Sequence, residues 1–297
     1  MTQSALPDAP DPAYDIASPD HPTSPTVFNS PHSGAVYPPS FLAASRLDSR
    51  ALRRSEDAFV DELFAAAPLA GAPLMRALFP RAYLDVNREP YELDPRMFEG
   101  RLPPFANTRS VRVAGGLGTI ARIVGEAQEI YGRRLPVAEA LARIETLYKP
   151  YHRTLSRLIA RAHRAHGVAL LVDCHSMPST GGVRDDKPVP DIVLGDRYGV
   201  SCSPAIVDLA ERTLRDAGFT VARNRPYAGG YITEHYGAPP SGFHALQIEV
   251  NRGLYMDERV HARLPVFRDV AARLTLFVNA MAEAPLTALG GSRLAAE

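Results

Sequence analysis

Two histidines follow apolar, strand-like runs and lead into turns rich in serine, proline and glycine. His32 lies in Val27-Phe-Asn-Ser-Pro-His-Ser-Gly34, and His175 lies in Leu170-Leu-Val-Asp-Cys-His-Ser-Met-Pro-Ser179. A histidine at the end of a buried strand sits at the rim of a sheet, where open α/β folds place their ligands, and neutral imidazole is a ready zinc ligand. One such histidine usually only hydrogen bonds a loop. Two of them in a chain that also offers carboxylates favour a metal site.

A glutamate on a later strand is the leading candidate for a catalytic base. Alternation with a period of two in the segment 245–252 predicts one apolar face and one polar face, the latter with Gln247, Glu249 and Asn251. A sheet covered by helices on both faces rarely leaves such a polar row in solvent, so we expect Glu249 to point into a polar cavity. A carboxylate beside a metal site is the general base that metal-assisted hydrolysis needs.

The segment Ser55-Glu-Asp-Ala-Phe-Val-Asp-Glu-Leu-Phe64 offers a carboxylate as a third metal ligand. Ser55 is predicted to cap a helix whose first turn places Glu56 and Asp57 near the loop ends where strands deliver ligands. The spacing of the residues does not choose between Glu56 and Asp57.

Arginines beside predicted strand ends are candidates for anion recognition. Two Asn-Arg pairs follow predicted strands, at Asn87-Arg88 and at Asn251-Arg252, and Arg81 precedes the first of these strands. A planar guanidinium holds a carboxylate through two parallel hydrogen bonds, while asparagine fixes the orientation of the bound group. These residues therefore favour a small anionic substrate.

The segment 224–237 contains two adjacent glycines and three tyrosines and is predicted to be a long loop. Such a loop can close over a pocket, with Tyr231 as a hydrogen-bond donor to substrate. A packed surface loop explains the same composition equally well. The histidines of the long helical segment, His152, His163 and His166, are predicted to be structural or exposed.

Short apolar runs alternate with segments of helical periodicity, which predicts an α/β layer structure with a largely buried, mixed and mainly parallel sheet. Strands are predicted at 26–29, 82–86, 168–173, 191–194, 220–222 and 246–250. Helices are predicted at 136–166, with a kink or a break at Pro150, at 203–218 and at 269–281.

The composition limits the classes of function and the domain organisation. The chain has 297 residues, with 33 basic and 33 acidic side chains, so no global charge attracts nucleic acid or an anionic membrane. The sequence has no apolar stretch long enough to span a bilayer, and its two cysteines favour a reducing cytoplasm. We expect a flexible tail over residues 1–25, one catalytic domain over 26–285 and a C-terminal tail over 286–297. A homo-oligomer is compatible with the sequence.

Seven segments, taken in chain order, resemble the N-formylglutamate amidohydrolase family. They are Ser30-Pro-His-Ser-Gly34, Asp57-Ala-Phe-Val-Asp61, Leu84-Asp-Val-Asn-Arg88, Val172-Asp-Cys-His-Ser176, Asp191-Ile-Val-Leu-Gly195, Gly229-Gly-Tyr231 and Gln247-Ile-Glu-Val-Asn-Arg-Gly-Leu-Tyr-Met-Asp-Glu258. The family is similar to the zinc carboxypeptidase and aspartoacylase group, and the resemblance implies a three-layer, phosphorylase/hydrolase-like sandwich of helices around a mixed sheet.

The resemblance also implies one zinc ion per chain, held by two histidines and a carboxylate. Carried over by position, the histidines are His32 and His175. The carboxypeptidases place their carboxylate ligand three residues after the first histidine, where this chain has Ala35. The resemblance therefore selects Asp57, which matches an aspartate of the amidohydrolase family, over Glu56.

For the remaining residues the resemblance implies Glu249 as the base, Arg81 as the oxyanion stabiliser, and Asn87 and Arg88 as ligands of the substrate carboxylate. The implied reaction is hydrolysis of N-formyl-L-glutamate to L-glutamate and formate, a step of histidine degradation. Two alternatives stay open. One is a zinc amidase acting on another N-acyl amino acid or a short peptide, and the other is a metal-binding or ligand-binding module without catalysis.

Overall fold

The computed structural model describes residues 6, 8–180 and 189–288, and the chain divides into two compact units. The first unit comprises Met1–Asp15, Pro31–Ala58 and Arg76–Leu155, and the second comprises Ile16–Ser30, Phe59–Met75 and Ser156–Glu297. Because three separate stretches of chain build each unit, neither is a contiguous piece of the sequence.

The strands follow the predicted apolar runs in most places. They are β1 (Tyr14–Ala17), β2 (Thr26–Ser30), β3 (Leu74–Ala77), β4 (Phe98–Glu99), β5 (Ile123–Val124), β6 (Gln128–Glu129), β7 (Leu135–Pro136), β8 (Ala169–Met177), β9 (Ile192–Gly195), β10 (Val221–Arg223), β11 (Phe243–Asn251), β12 (Met256–Asp257) and β13 (Ala262–Arg263).

Seven of these strands form the central sheet, in the order β1-β3-β2-β8-β11-β9-β10. Strands β2, β8 and β11 run parallel to one another, β9 runs antiparallel to β11, and β10 runs parallel to β9. The sheet is therefore mixed. With the helices around it, this confirms the predicted α/β fold.

The helices are α1 (Pro39–Ala44), α2 (Ser49–Arg53), α3 (Val60–Leu63), α4 (Val111–Ala114), α5 (Val137–Arg143), α6 (Lys149–His166), α7 (Pro204–Asp216), α8 (Tyr231–Tyr236) and α9 (Phe267–Ala288), with a π-helical segment at Ile144–Tyr148 between α5 and α6. No helix within the described ranges combines the length and apolar character needed to cross a bilayer.

In the second unit, strand β8 is buried along all nine residues, as its near-continuous apolar run requires. Helix α9 contacts β2 and β8 and also lies against α7, whereas α8 contacts β8 and β11. The amphipathic α7 buries Ile206, Ala210 and Leu214, residues at the predicted helical spacing. Burial of these apolar surfaces supplies most of the stabilisation of this unit.

The first unit has an aromatic core around one buried cation. The guanidinium carbon of Arg143 lies 3.9 Å from the centre of the Tyr83 ring, and the rings of Phe41 and Tyr131 also flank it. Arg143 Nη1 donates hydrogen bonds to the Tyr83 carbonyl at 3.0 Å and to the Tyr131 hydroxyl at 2.8 Å. These contacts offset the cost of burying the charge and fix the backbone at Tyr83.

Residues of the predicted terminal tails belong to regular structure. Strand β1 lies within 1–25, and Arg76 Nη2 donates to Asp15 Oδ2 of this strand at 2.9 Å. Helix α9 continues through residue 288. Residues 1–5 and 7 of the predicted N-terminal tail and residues 289–297 of the predicted C-terminal tail lie outside the described residues.

The predicted strand at 82–86 is wrong, because these residues form turns. The amides of Tyr83 and Leu84 both donate to the Pro80 carbonyl, and the amide of Asn87 donates to the side chain of Asp85 at 2.8 Å. A carboxylate that accepts from the amide two residues later closes a local turn, which competes with strand pairing.

The helix predicted to follow a Ser55 cap, and so to begin at Glu56, begins four residues later, at Val60. The Ser55 hydroxyl donates to the Leu52 carbonyl, at the end of α2, instead of capping a new helix. Phe59, with φ of 65°, is left-handed and precedes α3. Glu56 and Asp57 therefore lie in the connection between α2 and α3, outside any helix.

The long helical segment predicted at 136–166 is divided just before Pro150, where the π-helical segment separates α5 from α6, and α6 continues through Pro150. The predicted loop at 224–237 is corrected, because it contains helix α8, which begins directly after Gly230. The glycine run thus starts a helix.

Gly195, the last residue of β9, lies directly against the backbone of residues 228 and 229. A Cβ atom there would lie 2.7 Å from the Ala228 carbonyl carbon and 2.8 Å from the Gly229 amide nitrogen. Because these neighbours are backbone atoms, we expect Gly195→Ala to destabilise the protein by about 1–3 kcal/mol, the usual cost of overpacking.

The matched control is Gly132→Ala, since a Cβ atom there meets only Arg46 Cβ at 3.9 Å. Thermal unfolding should show a melting temperature lowered by several degrees for the first variant and unchanged for the second. Equal melting temperatures would contradict the close approach at Gly195.

Candidate active site

In the first unit, His32 is held between two carboxylates. It lies two residues after β2 and is 1% exposed. Its Nε2 is 2.8 Å from Asp85 Oδ1, and its Nδ1 is 3.3 Å from Asp57 Oδ2. The amide of Asp57 also donates to the His32 carbonyl at 3.0 Å. These contacts fix both the position and the ring orientation of His32.

Asp85, the carboxylate that faces Nε2 of His32, is paired with two arginines. Arg81 Nε donates to its Oδ2 at 2.9 Å, and Arg88 Nη2 lies 3.4 Å from the same oxygen. Burial raises the pKa of Asp85, but the charges of Arg88, Arg81 and His32 outweigh burial and hold the pKa well below its usual range. The carboxylate is therefore ionised at neutral pH.

Arg88 is itself buried, and two of its nitrogens donate to backbone carbonyls. Its Nε donates to the Leu117 carbonyl and its Nη1 to the Asn87 carbonyl, both at 2.7 Å. Burial lowers the pKa of Arg88 to about 10, against the opposing effect of Asp85. Arg88 thus remains a cation at neutral pH and neutralises Asp85.

The two carboxylates left open as metal ligands have different partners. Glu56 Oε1 accepts from the Tyr37 hydroxyl at 2.6 Å, and Arg53 Nε donates to both Glu56 oxygens at 3.1–3.2 Å. Asp57, by contrast, faces the His32 ring. Glu56 therefore belongs to a separate hydrogen-bonded group with Tyr37 and Arg53.

In the second unit, His175 is paired with a carboxylate of its own strand. Asp173 and His175 share a face of β8, and Asp173 Oδ2 lies 2.8 Å from His175 Nε2. The other oxygen of Asp173 accepts from Asn29 Nδ2 at 2.8 Å, across the β2–β8 pairing. Asp173 is fully buried, so this network is rigid.

Glu249 lies on β11 directly beside His175, because the parallel register pairs these two residues. Gln247, two residues earlier on the same face, donates from Nε2 to Glu249 Oε1 at 2.9 Å. Gln247 Oε1 in turn accepts from the Gly230 amide at 2.8 Å. Glu249 is 8% exposed, so a buried carboxylate lies beside a buried histidine.

The other candidate residues of the second unit lie at its strand ends and in α8. Arg252 follows β11, and its Nε donates to the Ser176 hydroxyl at 3.0 Å. Asn251 accepts from the Gly253 amide at 2.9 Å and so closes the turn after β11. Tyr231, the first residue of α8, stacks on His235, and the Tyr231 hydroxyl is 3.4 Å from His235 Nδ1.

Sequence reasoning assigned no role to Asp85 or Asp173, the partners of the two histidines. The position of Asp173, two residues before His175 on a strand, was a usable signal because such residues share a face. No comparable signal joins Asp85 to His32, since 53 residues separate them in the chain.

Both buried histidines are oriented by aspartates, and a buried glutamate lies beside one of them, at the ends of the strands of an α/β sheet. Such a fold and such polar groups are those of an α/β enzyme, in which histidine and carboxylate side chains are held ready for chemistry.

Comparisons with known proteins identify the family. A family model described as N-formylglutamate amidohydrolase matches residues 24–256, so the chain belongs to the N-formylglutamate amidohydrolase family. The N-formylglutamate deformylase of Pseudomonas aeruginosa is 30% identical over 238 residues, which cover 79% of this chain and 83% of that protein. The enzyme of the same name from Pseudomonas putida is 29% identical over 237 residues, 79% of this chain and 82% of that protein.

Solved structures agree with this assignment. The crystal structure of an N-formylglutamate amidohydrolase from Ralstonia eutropha is 38% identical in sequence, with a TM-score of 0.87 over 91% of this chain and 97% of that chain. A gene product of Agrobacterium tumefaciens has the same fold, with 19% identity and a TM-score of 0.66 over 94% of this chain and 96% of that chain. The protein is thus a hydrolase of this family.

The buried ion pairs of Asp85 lead to a prediction about stability. Asp85→Asn removes the charge that compensates Arg88, so we expect a loss of about 3 kcal/mol in the free energy of unfolding at pH 7. Urea unfolding in the presence of EDTA measures this loss without a contribution from bound metal.

The control is Asp208→Asn, which breaks the exposed pair of Asp208 with Arg223 and should cost less than about 1 kcal/mol. A similar, small loss in both variants would show that the Asp85 charge does not stabilise the fold.

Proposed function

We propose that the protein hydrolyses the amide bond of N-formyl-L-glutamate in a zinc-dependent reaction. The observation that carries the proposal is the family match over residues 24–256, which contains His32, Asp57, His175 and Glu249. The curated relatives are named for deformylation of N-formylglutamate.

In this proposal His32, Asp57 and His175 hold one zinc ion per chain. Each is buried and offers a ring nitrogen or a carboxylate oxygen, the donor types that zinc prefers. The 3.3 Å between His32 Nδ1 and Asp57 Oδ2 fits the edge of a zinc tetrahedron. That edge is about 3.3 Å for bonds of about 2.0–2.1 Å.

The aspartates that hold the histidines support the same ligand set. Nε2 of each ring faces a carboxylate, Asp85 for His32 and Asp173 for His175, so Nδ1 is the nitrogen assigned to the metal. A metal-binding histidine commonly has its second nitrogen bound to a carboxylate, which fixes the ring and increases the basicity of the ligand nitrogen.

When bound, zinc supplies a Lewis acid that lowers the pKa of a water molecule and polarises the formyl carbonyl. Glu249 accepts the proton from the attacking water and returns it to the departing amine nitrogen. The hydrogen bond from Gln247 Nε2 orients the carboxylate of Glu249 for this proton transfer. Burial of Glu249 keeps bulk water from competing for that proton.

The arginines are assigned to the negative charges of substrate and transition state. Arg81, with 27% of its side chain exposed, is the accessible cation of its cluster and is proposed to stabilise the oxyanion. Asn87, Arg88 and Arg252 are proposed to bind the substrate carboxylates, with Tyr231 as a further hydrogen-bond donor. A cytoplasmic location is part of the proposal, because both cysteines are free thiols.

The third metal ligand is tested by a matched pair of substitutions. Asp57→Asn should lower zinc affinity at least about tenfold, the size of loss typical for damage around a metal site. Glu56→Gln should leave the affinity unchanged, because Glu56 pairs with Tyr37 and Arg53. The measurement is zinc content after gel filtration, followed by competition with a chelator. Loss of zinc from Glu56→Gln alone would exchange the roles of the two residues.

The proton-transfer role is tested at Glu249. Glu249→Gln keeps the shape of the side chain and removes the base, so kcat should fall by about 10²–10⁴-fold while the zinc content stays unchanged. Glu283→Gln, at an exposed position of α9, is the control and should keep the parental rate. Deformylation by Glu249→Gln at the parental rate would remove Glu249 from the mechanism.

The substrate is tested by formate release from purified protein, with N-formyl-L-glutamate beside N-acetyl-L-glutamate and N-formyl derivatives of uncharged amino acids. We expect the highest kcat/KM for N-formyl-L-glutamate. Faster turnover of the acetyl derivative would favour an amidase for larger acyl groups. Zinc binding without turnover of any of these compounds would favour a binding module.

A further inference from the structure

An irregular stretch of the long helical region lies next to the Asp85 cluster within the first unit. Ile144–Tyr148 form a π-helical segment, and the amide of Lys149 donates to the Ile144 carbonyl, five residues back. Isolated π-helical turns are uncommon and frequently occur at functional sites. Tyr148 is the last residue of this segment, and His152 lies one helical turn after it.

Two of these side chains bind the backbone of the turn that carries Asp85. The Tyr148 hydroxyl donates to the Arg88 carbonyl at 2.6 Å. One turn further along, His152 Nε2 donates to the Val86 carbonyl at 2.8 Å. The rings of Tyr148 and His152 lie against each other, with their centres 4.3 Å apart and their planes tilted by 30°, which holds the two donors together.

The Val86 carbonyl belongs to the peptide group that precedes Asn87, and the Arg88 carbonyl belongs to the peptide group that follows Arg88, so the two bonds fix both ends of the Asn87-Arg88 pair. The Asn87 amide then donates to Asp85 Oδ1, the oxygen that faces His32. The Asn87 carbonyl accepts from Arg88 Nη1. A rotation of these peptide groups would thus move Asp85, Asn87 and Arg88 together.

We propose that Tyr148 and His152 are positioning residues for the reaction, which set the geometry of Asp85, Asn87 and Arg88 through the carbonyls of Val86 and Arg88. The assignment rests on the proposed function for its effect on substrate. The sequence alone predicts that His152 is structural or exposed. In the structure its ring and the Tyr148 hydroxyl bind the turn at Asp85.

The test compares two Tyr→Phe variants that each lose one hydroxyl. Tyr148→Phe removes the bond to the Arg88 carbonyl. Tyr14→Phe removes a 2.8 Å bond to Thr154 Oγ1, on the same helix as His152 but away from the turn. Both variants keep their rings, so a general loss of helix stability should affect the two alike.

The first readout is amide hydrogen exchange of residues 85–90, which needs no substrate. Exchange in this segment should become about fivefold faster or more in Tyr148→Phe, as expected from the loss of one hydrogen bond, and should stay unchanged in Tyr14→Phe. The second readout is kinetic. Because Asn87 and Arg88 are assigned to substrate binding, KM for N-formyl-L-glutamate should rise about tenfold in Tyr148→Phe with kcat within about threefold.

His152 provides a rescue experiment. His152→Phe removes the donor to the Val86 carbonyl and should raise KM as Tyr148→Phe does, whereas His152→Gln keeps an N–H donor and should restore most of the affinity. Unchanged exchange or unchanged KM in Tyr148→Phe overturns the positioning role. If the parental protein releases no formate from any substrate tested, the proposed function fails, and hydrogen exchange alone then decides whether Tyr148 fixes the turn.

Discussion

A buried carboxylate beside each buried histidine is the interaction on which the functional residues depend. Asp85 could not stay ionised in the interior without the arginines beside it, because an isolated buried charge costs more than the fold can offset. Arg88 is buried as well. Besides Asp85, two backbone carbonyls hold its guanidinium in place. The first unit therefore orients His32 through a group of charges that must be kept or lost together.

The second unit reaches a similar result through strand register. Parallel pairing places Glu249 beside His175, and the period of two along each strand places Asp173 and Gln247 on the same face as their partners. A slip of one residue in either strand would turn the two polar side chains of that strand to the opposite face. Such a slip would also move the apolar side chains of the strand out of their buried positions. Burial of the apolar side chains therefore fixes the register of the polar ones.

Sequence patterns predicted the parts of this structure that follow from local periodicity. The apolar runs before His32 and His175 are strands β2 and β8, and the alternating segment around Glu249 is strand β11. Local rules failed where a side chain bound backbone at a distance. The segment around Asp85 resembles a strand in composition, yet Asp85, Tyr148 and His152 hold it as a turn. The left-handed Phe59 likewise delays a helix that Ser55 was expected to start.

The sequence by itself determined the α/β class, the two strand-end histidines and the face of Glu249, because each follows from hydrophobic periodicity and from the chemistry of a single residue type. Only the tertiary structure decided which carboxylate faces His32, since Glu56 and Asp57 are neighbours in sequence and differ only in their partners. It also revealed Asp85 and Tyr148 as parts of the same cluster. Their contacts join residues far apart in the chain, and no local pattern encodes which of many distant polar groups will satisfy one another once they are buried.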